Sequence, residues 1–413
     1  HEGAIPVLSE TSTHKPVALL GWSLPAMEAM DSIKRDFVVV APEAFRTYAK
    51  EHDLKYVSWD FERRNDHSIE LASSLKEFGV SVAVPLYEET VSWAGAVNAS
   101  LWDNPRLFNQ SLLFRDKAMM KRKAQIAGLR VGVFQEAENH ADVRKFLRRV
   151  NEALLKLEGE HPDPVHLKAF SAAGCVGHHV IRSDEDIDEV PMSSFPCLLE
   201  SHLDGQEFSC EVFVHGGKIR FLNITEYIHL GHSNFVPASD RLEEMRPRIK
   251  EACEDLIRAF DVKYGMMHPE WFVTSDGKLN FGEVAARVPG GHIFELIERA
   301  YGFSPFAAQV ICSDPNTTEE ELAAFFPQES EHKGYAGCLM VYPRGKVASK
   351  LEVPSELTDD AYFEKHDLFV PATPKVAERV GFGNHYGTVF FHGEDPRRME
   401  ELFWKWEEFD FYS

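Results

Sequence analysis

The chain has 413 residues, enough for two or three domains, and 44% of them are hydrophobic, as in a globular protein with a substantial core. Its formal net charge of −22 argues against a broad nucleic-acid or anionic-membrane surface, because such surfaces are basic. The six cysteines form no Cys-x-x-Cys pair, and the sequence shows no long apolar run and no signal-peptide core. We therefore expect a cytoplasmic protein without a disulfide framework, a zinc site or a membrane span.

The first part of the chain alternates short apolar runs with helical stretches. Residues 17–21, 37–41 and 80–85 have the composition of buried strands, and helical patterns separate them. Such a βαβ series predicts a small Rossmann-like parallel sheet with helices on both faces. No Gly-x-Gly-x-x-Gly follows the first strand, so a dinucleotide site is not expected there.

The next segments are predicted to be two helices, at 115–128 and 140–157, and then a strand over 165–170. Lys168 lies near the end of this strand and is followed by a loop of small residues, 171–177. Small side chains let backbone N–H groups approach phosphate oxygens, and a lysine adds a positive charge. The loop is therefore a candidate phosphate site, although a flexible connector has the same composition.

The segment 200–207 leaves a strand, turns at Asp-Gly and ends at Glu207. A connector of this kind can present backbone groups to an adenine edge while a carboxylate binds ribose hydroxyls, but an ordinary turn fits equally well. Antiparallel strands are predicted at 207–214 and 218–227. A long loop and an amphipathic helix over 241–260 are predicted to follow them.

Glu270 and Glu283 lie thirteen residues apart and flank the string 274–278, which has Asp-Gly at its centre and alternating apolar residues on both sides. This pattern predicts a β-hairpin that brings the two carboxylates together on one face. Such a pair suits Mg²⁺, which is usually held by one or two carboxylates plus substrate phosphates. Arg287, four residues beyond Glu283, can bind a phosphate or carboxylate through two parallel hydrogen bonds. A surface hairpin with solvated charges has the same spacing, but the rest of the chain favours the metal site.

Taken in order over residues 112–300, these segments resemble the ATP-grasp superfamily, and specifically its carboxylate–amine ligases. The resemblance implies an α/β fold (α+β overall), the ATP-grasp fold with an N-terminal Rossmann-like domain over residues 1–111. The ATP-grasp core is expected over 112–320, with a lid at about 130–203. Residues 321–413 are expected to complete the large domain.

The resemblance also implies roles for individual residues. Lys117 and Lys168 correspond to the two nucleotide-binding lysines, the second of them on the lid. The loop 171–177, including Ser171 and Gly174, resembles the mobile cover over the phosphates, although it contains fewer glycines than is usual in the family.

Glu200 and the backbone through Leu203 resemble the adenine hinge, and Glu207 resembles the ribose-binding acid. Glu270 and Glu283 resemble the Mg²⁺ ligands. The implied cofactors are ATP and Mg²⁺, with two ions expected and Mn²⁺ able to substitute.

Arg287 resembles the arginine that contacts the γ-phosphate and the acyl-phosphate made from it. The string from Glu283 to Gly291 is similar to that of ligases that join two amino acids. Many relatives carry an asparagine that helps to hold the second metal ion where this chain has Ala285. The geometry of a second Mg²⁺ is therefore expected to differ.

Four further residues are candidates for substrate binding. His232 lies in the predicted loop before the helix at 241, where it is expected to bind a carboxylate or to assist amine deprotonation, although a solvated loop histidine fits equally. His292 follows Gly290 and Gly291 at a predicted helix N-terminus, where backbone N–H groups favour a carboxylate.

The implied function is an ATP-dependent ligase that forms an amide bond between a small carboxylate, such as an amino acid, and the amine of an amino acid. The reaction passes through an acyl-phosphate and releases ADP and phosphate, with Arg287, Lys168 and His232 as catalytic residues. The alternatives are an ATP-grasp carboxylase that activates bicarbonate and a non-catalytic nucleotide-binding protein. The expected partners are small molecules, with a homodimer as a family-level expectation and no nucleic acid or membrane.

Overall fold

The computed structural model describes residues 14–63, 67–153, 163–172, 177–378 and 385–413. Within these residues the strands form three sheets, of four, eight and four strands, with helices packed on their faces. This mixture confirms the predicted α/β (α+β) class. Of the helices described, none is both long and apolar enough to cross a membrane.

The N-terminal sheet is parallel. Its strands are β1 (Val17–Leu20), β2 (Phe37–Ala41), β3 (Tyr56–Ser58) and β4 (Val82–Pro85), and the accompanying helices are α1 (Leu24–Ser32), α2 (Arg46–Glu51), α3 (Ser68–Glu77) and α4 (Val91–Leu101). The spatial order is β3-β2-β1-β4, with β1 parallel to both β2 and β4. Successive residues of β1 belong to two different apolar clusters, one on each face. Both faces are therefore covered, as the continuous apolar runs predict.

Two helices, α5 (Arg106–Leu113) and α6 (Lys117–Ile126), lead into a small antiparallel sheet. This sheet, here called the lid sheet, consists of β5 (Phe134–Ala137), β6 (Val165–Lys168), β7 (His179–Ile181) and β8 (Cys197–Ser201), with α7 (His140–Ala153) and α8 (Asp184–Asp188). Its order is β5-β8-β6-β7. Asp116 caps α6, because its side chain accepts a hydrogen bond from the Met119 N–H.

The largest sheet is antiparallel and has eight strands. They are β9 (Gly205–His215), β10 (Lys218–His229), β11 (Ser233–Val236), β12 (Tyr264–Thr274), β13 (Leu279–Ala285), β14 (Tyr335–Met340), β15 (Phe363–His366) and β16 (Thr388–Gly393). Their order is β13-β12-β9-β10-β11-β14-β16-β15, so the strands after residue 334 extend the sheet that carries the hairpin.

Seven further helices belong to this part of the chain. They are α9 (Asp240–Glu243), α10 (Arg246–Ala259), α11 (Ile293–Tyr301), α12 (Pro305–Ser313), α13 (Glu319–Phe325), α14 (Ser355–Thr358) and α15 (Pro396–Glu407). The single helix predicted over 241–260 is wrong, because α9 ends at Glu243 and α10 begins at Arg246. Pro247 lies in the first turn of α10, where its missing N–H is not needed, whereas inside one long helix it would break the hydrogen-bond ladder.

The long loop predicted around residues 229–233 is also wrong. β10 continues to His229 and β11 begins at Ser233, so the two strands pair through a short turn. The sequence did not predict that the strands extend this far, because the histidines in this stretch interrupt the alternation of apolar and polar residues that marks a strand.

The N-terminal sheet and the large sheet share one apolar core. Val17 and Leu19 of β1 lie in the same buried cluster as residues of α11 and α12. A buried ion pair crosses the same contact, with Arg35 Nη2 2.6 Å from Asp314 Oδ2. The N-terminal sheet is thus packed against the rest of the fold along its β1 face.

Candidate nucleotide and metal site

The hairpin of β12 and β13 brings the two glutamates together. The strands pair antiparallel, and Glu270 lies directly opposite Glu283. The turn between them contains Gly277 with φ of 77°, a conformation that glycine adopts without a side-chain clash. The predicted hairpin is therefore confirmed. At the N-terminus of α6, Lys117 Nζ lies 3.3 Å from Glu283 Oε2.

Glu200 of β8 lies between two lysines. Lys168 Nζ is 3.4 Å from its Oε1, and Lys121 Nζ is 3.1 Å from its Oε2. Lys121 also donates a hydrogen bond of 2.7 Å to the Gly282 carbonyl, one residue before Glu283. Lys121 therefore connects the lid sheet to the hairpin.

The charges of this group depend on one another. Burial acts to raise the pKa of Glu200, but the two lysines outweigh it and lower that pKa to about 2. Burial lowers the pKa of Lys121. Burial acts in the same direction on Lys168, yet the surrounding carboxylates, Glu200 first, raise its pKa above the ordinary value. Lys168 thus keeps its charge at neutral pH.

These side chains line one cavity of about 240 Å³ between the lid sheet and the large sheet. Its lining residues are Lys117, His166, Lys168, His178, Glu200, Ser201, His202, Leu203, Glu207, Leu230, Glu270, Phe272, Gly282 and Glu283. Seven of the predicted nucleotide and metal residues therefore meet in one place. The cavity has acids along the hairpin and lysines from α6 and β6, as a site for a metal–polyphosphate requires.

The acids of the cavity crowd together. Burial, and then the neighbouring Glu270, raise the pKa of Glu207 well above its ordinary value. Burial acts in the same way on Glu270, but the hydrogen bond from His268 outweighs it and lowers that pKa to about 2. In the described parts of the chain, no three His, Cys, Asp or Glu side chains form a complete metal site. The paired carboxylates of Glu270 and Glu283 fit a cation such as Mg²⁺, which takes its other ligands from phosphate and water.

Arg287 does not line this cavity. It lies just beyond β13, and its Nε is 3.2 Å from Glu88 Oε2, a residue shortly after β4 of the N-terminal sheet. Arg115 donates a hydrogen bond of 2.7 Å to the Glu88 carbonyl oxygen. Sequence reasoning missed Glu88. Its place just past the carboxyl end of a parallel strand was the available signal, because ligands bind at that edge of such sheets.

Sequence reasoning also missed Lys121. It lies four residues after Lys117 on α6, and this spacing puts both side chains on the same face of the helix. The three histidines of the cavity were missed as a group as well. His166 Nδ1 is 2.9 Å from His178 Nε2, and His166 Nε2 is 3.1 Å from His202 Nδ1.

The phosphate loop is described only in part. Ser171 is exposed and does not line the cavity, whereas Gly174 lies outside the described residues. The start of the loop rests on α6, because the Lys117 N–H donates to the Phe170 carbonyl at 3.0 Å.

His232 lies apart from the Lys–Glu cavity. It occupies the turn between β10 and β11, where its ring is 4.9 Å from that of Tyr342 and lines a neighbouring cavity of about 580 Å³. Leu230 of the same turn lines the Lys–Glu cavity, so the turn separates the two spaces. The catalytic role of His232 stays a prediction.

His292 is the N-cap residue of α11, as predicted, and both of its ring nitrogens have partners. Nδ1 lies 2.9 Å from Glu295 Oε1, and Nε2 lies 3.0 Å from Thr388 Oγ1. Gly290 is exposed, and the Gly291 carbonyl accepts from the Asn234 side chain at 3.3 Å. Their roles in substrate binding stay predictions.

Comparison with known proteins identifies the domain. A family profile for the ATP-grasp domain matches residues 170–295, the stretch that contains Glu200, Glu207, Glu270, Glu283 and Arg287. Residues 170–295 therefore match an ATP-grasp domain. The L-arginine-specific L-amino acid ligase of Bacillus subtilis is 24% identical to it over 229 residues, which are 51% of this chain and 53% of that protein. The match thus spans about half the length of this curated relative.

The ATP-grasp fold extends over nearly the whole chain. The L-amino acid ligase from Bacillus licheniformis superposes with a TM-score of 0.75 at 17% identity, over 96% of this chain and 97% of that one. The N5-carboxyaminoimidazole synthetase from Staphylococcus aureus, solved with ADP, superposes with a TM-score of 0.65 at 16% identity, over 96% and 98%. The predicted fold and the predicted resemblance to ATP-grasp ligases are confirmed.

Proposed function

We propose that this ATP-grasp protein is an ATP-dependent ligase that forms an amide bond between a small carboxylate and the amine of an amino acid. The observation that carries the proposal is the direct pairing of Glu270 with Glu283, opposite Lys117 and Lys168, in one cavity. The sequence similarity to an L-amino acid ligase supports the choice of substrates, amino acids or modified amino acids.

The charged residues have separate tasks in phosphoryl transfer. Lys117 and Lys168 neutralise phosphate oxygens, whose charge forms the main barrier to this transfer. Glu270 and Glu283 would hold Mg²⁺, which supplies charge stabilisation at the phosphates when bound. Glu207, at the start of β9, and the backbone from Glu200 to Leu203 would bind the ribose and the adenine.

The chemistry makes a carboxylate reactive toward an amine. A carboxylate oxygen attacks the γ-phosphorus of ATP and ADP leaves, which converts a poor leaving group into phosphate. The neutral amine then attacks the acyl carbon, loses a proton and expels phosphate. Arg287 would stabilise the charge on the phosphoryl group and on the acyl-phosphate. The lid sheet covers the cavity opposite the hairpin, an arrangement that excludes the water that would hydrolyse the intermediate.

A second candidate has its own support. The superposition on an N5-carboxyaminoimidazole synthetase favours activation of bicarbonate on the same fold. ADP formation that depends on bicarbonate, and not on an amino acid carboxylate, would identify that activity.

The test is a screen of amino acid pairs with ATP and Mg²⁺, followed by mass spectrometry of the product. We expect ADP and phosphate only when a free carboxylate and an amine are both present, and a product with the mass of the two substrates less water. Formation of AMP and pyrophosphate would exclude the mechanism. ATP binding without turnover for any pair would favour the non-catalytic alternative.

A further inference from the structure

A buried polar group lies directly behind the carboxylates of the cavity. Glu211 on β9 is fully buried, yet its carboxylate accepts four hydrogen bonds. The donors are Ser209 Oγ at 2.8 Å, Asn223 Nδ2 at 2.7 Å, Thr225 Oγ1 at 2.6 Å and His268 Nδ1 at 2.7 Å. A carboxylate with so many partners cannot rotate, and it fixes the groups that contact it.

His268 is the member of this group that reaches the metal site. Its ring is 6% exposed, and while Nδ1 is bound to Glu211, Nε2 lies 3.5 Å from Glu270 Oε1. His268 and Glu270 are two residues apart on β12, so their side chains share the face of the sheet that carries the cavity. The chain of contacts therefore runs from Glu211 through His268 to Glu270.

We propose that Glu211 and His268 are positioning residues that orient the Glu270 carboxylate for its cation. The inference rests on the proposed function, since it assigns a task to residues behind the metal site of the same ligase. Neither residue is among those that line the cavity, whereas Glu270 is. Their effect passes through Glu270, whose carboxylate would otherwise turn among several rotamers and toward Glu207.

A structural role alone is the rival explanation, because any buried hydrogen-bonded histidine supports stability. The chain offers a matched control for it. His215, at the far end of β9, is also 6% exposed, and its Nε2 bonds to the Asp314 carbonyl at 3.0 Å. His215 belongs to the same sheet, and its partners in the described residues, Asp314, Arg220 and Tyr264, do not line the cavity.

The experiment measures cation binding directly. The full chain is prepared as wild type and as the variants His268→Leu, His268→Gln, Glu211→Gln and His215→Leu. Binding of Mn²⁺ in the presence of a non-hydrolysable ATP analogue is followed by electron paramagnetic resonance. The Mg²⁺ concentration for half-maximal ADP formation and the KM for ATP are measured in parallel, together with each melting temperature.

We expect His268→Leu to weaken Mn²⁺ binding and to raise the half-saturating Mg²⁺ concentration by about 10–100-fold, the usual effect of removing a residue that holds a metal ligand. His268→Gln retains one hydrogen-bond donor group and should weaken cation binding less than His268→Leu does. His215→Leu should lower the melting temperature without changing Mn²⁺ binding or the half-saturating Mg²⁺ concentration. If His268→Leu does not fold, Glu211→Gln carries the comparison, since its amide keeps the shape of the carboxylate.

Two results would overturn the inference. One is cation binding in His268→Leu or Glu211→Gln equal to that of wild type. The other is a loss of cation binding in His215→Leu as large as the loss in His268→Leu. Failure of the proposed function looks different, because wild-type protein would then bind the Mn²⁺–nucleotide normally yet form no amide. If wild-type protein binds no Mn²⁺–nucleotide, both proposals fall.

Discussion

At the residue scale, Arg287 depends on a partner from another part of the chain. Its guanidinium is 17% exposed and is held by Glu88, which lies 199 residues earlier. An arginine donates from several N–H groups in a fixed plane, so it can keep one contact to Glu88 while presenting others to a phosphoryl group. Glu88 therefore ties the orientation of Arg287 to the N-terminal sheet.

We expect Arg287→Lys to lower the kcat for ADP formation by about 100-fold, because lysine keeps the charge but loses the planar fork. Steady-state kinetics with a productive pair of substrates measures this loss. Arg299→Lys is the matched control, since Arg299 pairs with Glu364 on an exposed surface. A kcat for Arg287→Lys close to that of the control would contradict the assigned role.

Lys121 is buried, and its removal leaves Glu200 with Lys168 as its one remaining ion-pair partner in the described structure. We expect Lys121→Met to lower the free energy of unfolding by about 3 kcal/mol, because removal of one partner leaves a buried charge poorly compensated. Denaturant unfolding measures the change. Lys123→Met, an exposed position on the same helix, is the control and should change stability little.

At the scale of elements, the lid sheet carries a pH-sensitive group. His166 on β6 lies between His178 and His202, and Lys168 and Glu200 face it in the cavity. Burial is the main cause that lowers the pKa of His166 to about 4, and the nearby positive and imidazole groups add to it. Burial similarly lowers the pKa of His178 to about 4.

Because these folded-state pKa values lie below the ordinary 6.5 of a free histidine, the neutral rings favour the folded state. The contribution of the neutral rings to the free energy of unfolding is complete above about pH 6.5 and is lost as the pH falls toward 4. We therefore expect His166→Asn to lose less thermal stability than wild type between pH 6.5 and 4. Melting temperatures across this range measure the difference, with the exposed His52→Asn as control. Parallel curves for all three proteins would contradict the prediction.

The elements differ in how well the sequence alone predicted them. The hairpin of β12 and β13 was predictable, because Asp-Gly between alternating apolar residues is a local signal that tertiary packing does not override. The short turn between β10 and β11 was not, since β11 is held by pairing to β14, about a hundred residues later. Strand assignment there depends on a distant partner and not on local pattern.

At the scale of the whole molecule, the N-terminal sheet is packed into the same core as the large sheet. β1 shares an apolar cluster with α11 and α12, and the buried Arg35–Asp314 pair crosses the contact. The domain boundary predicted at residue 111 stays a prediction, and the parts on its two sides pack against each other. Glu88 also reaches Arg287 from the N-terminal side, so a residue of the N-terminal part holds one residue of the proposed site.

We expect the chain to unfold in one calorimetric transition, because separation of the N-terminal sheet would expose this shared core and an unpaired buried charge. Differential scanning calorimetry tests this. Arg35→Met should lower the melting temperature while the transition stays single. Two resolved transitions in the wild-type protein would contradict the shared core.

The sequence by itself determined the parallel N-terminal sheet and the hairpin of β12 and β13. It also singled out Lys117, Lys168, Glu207, Glu270 and Glu283, which line one cavity, because each belongs to a local pattern or an ordered motif. Only the tertiary structure decided that Glu88 holds Arg287, that Lys121 links the lid sheet to the hairpin, and that His268 lies between Glu211 and Glu270. Periodicity records which face of a strand or helix a side chain occupies. It carries no information about which distant face will lie opposite, and that is settled by packing of the complete chain.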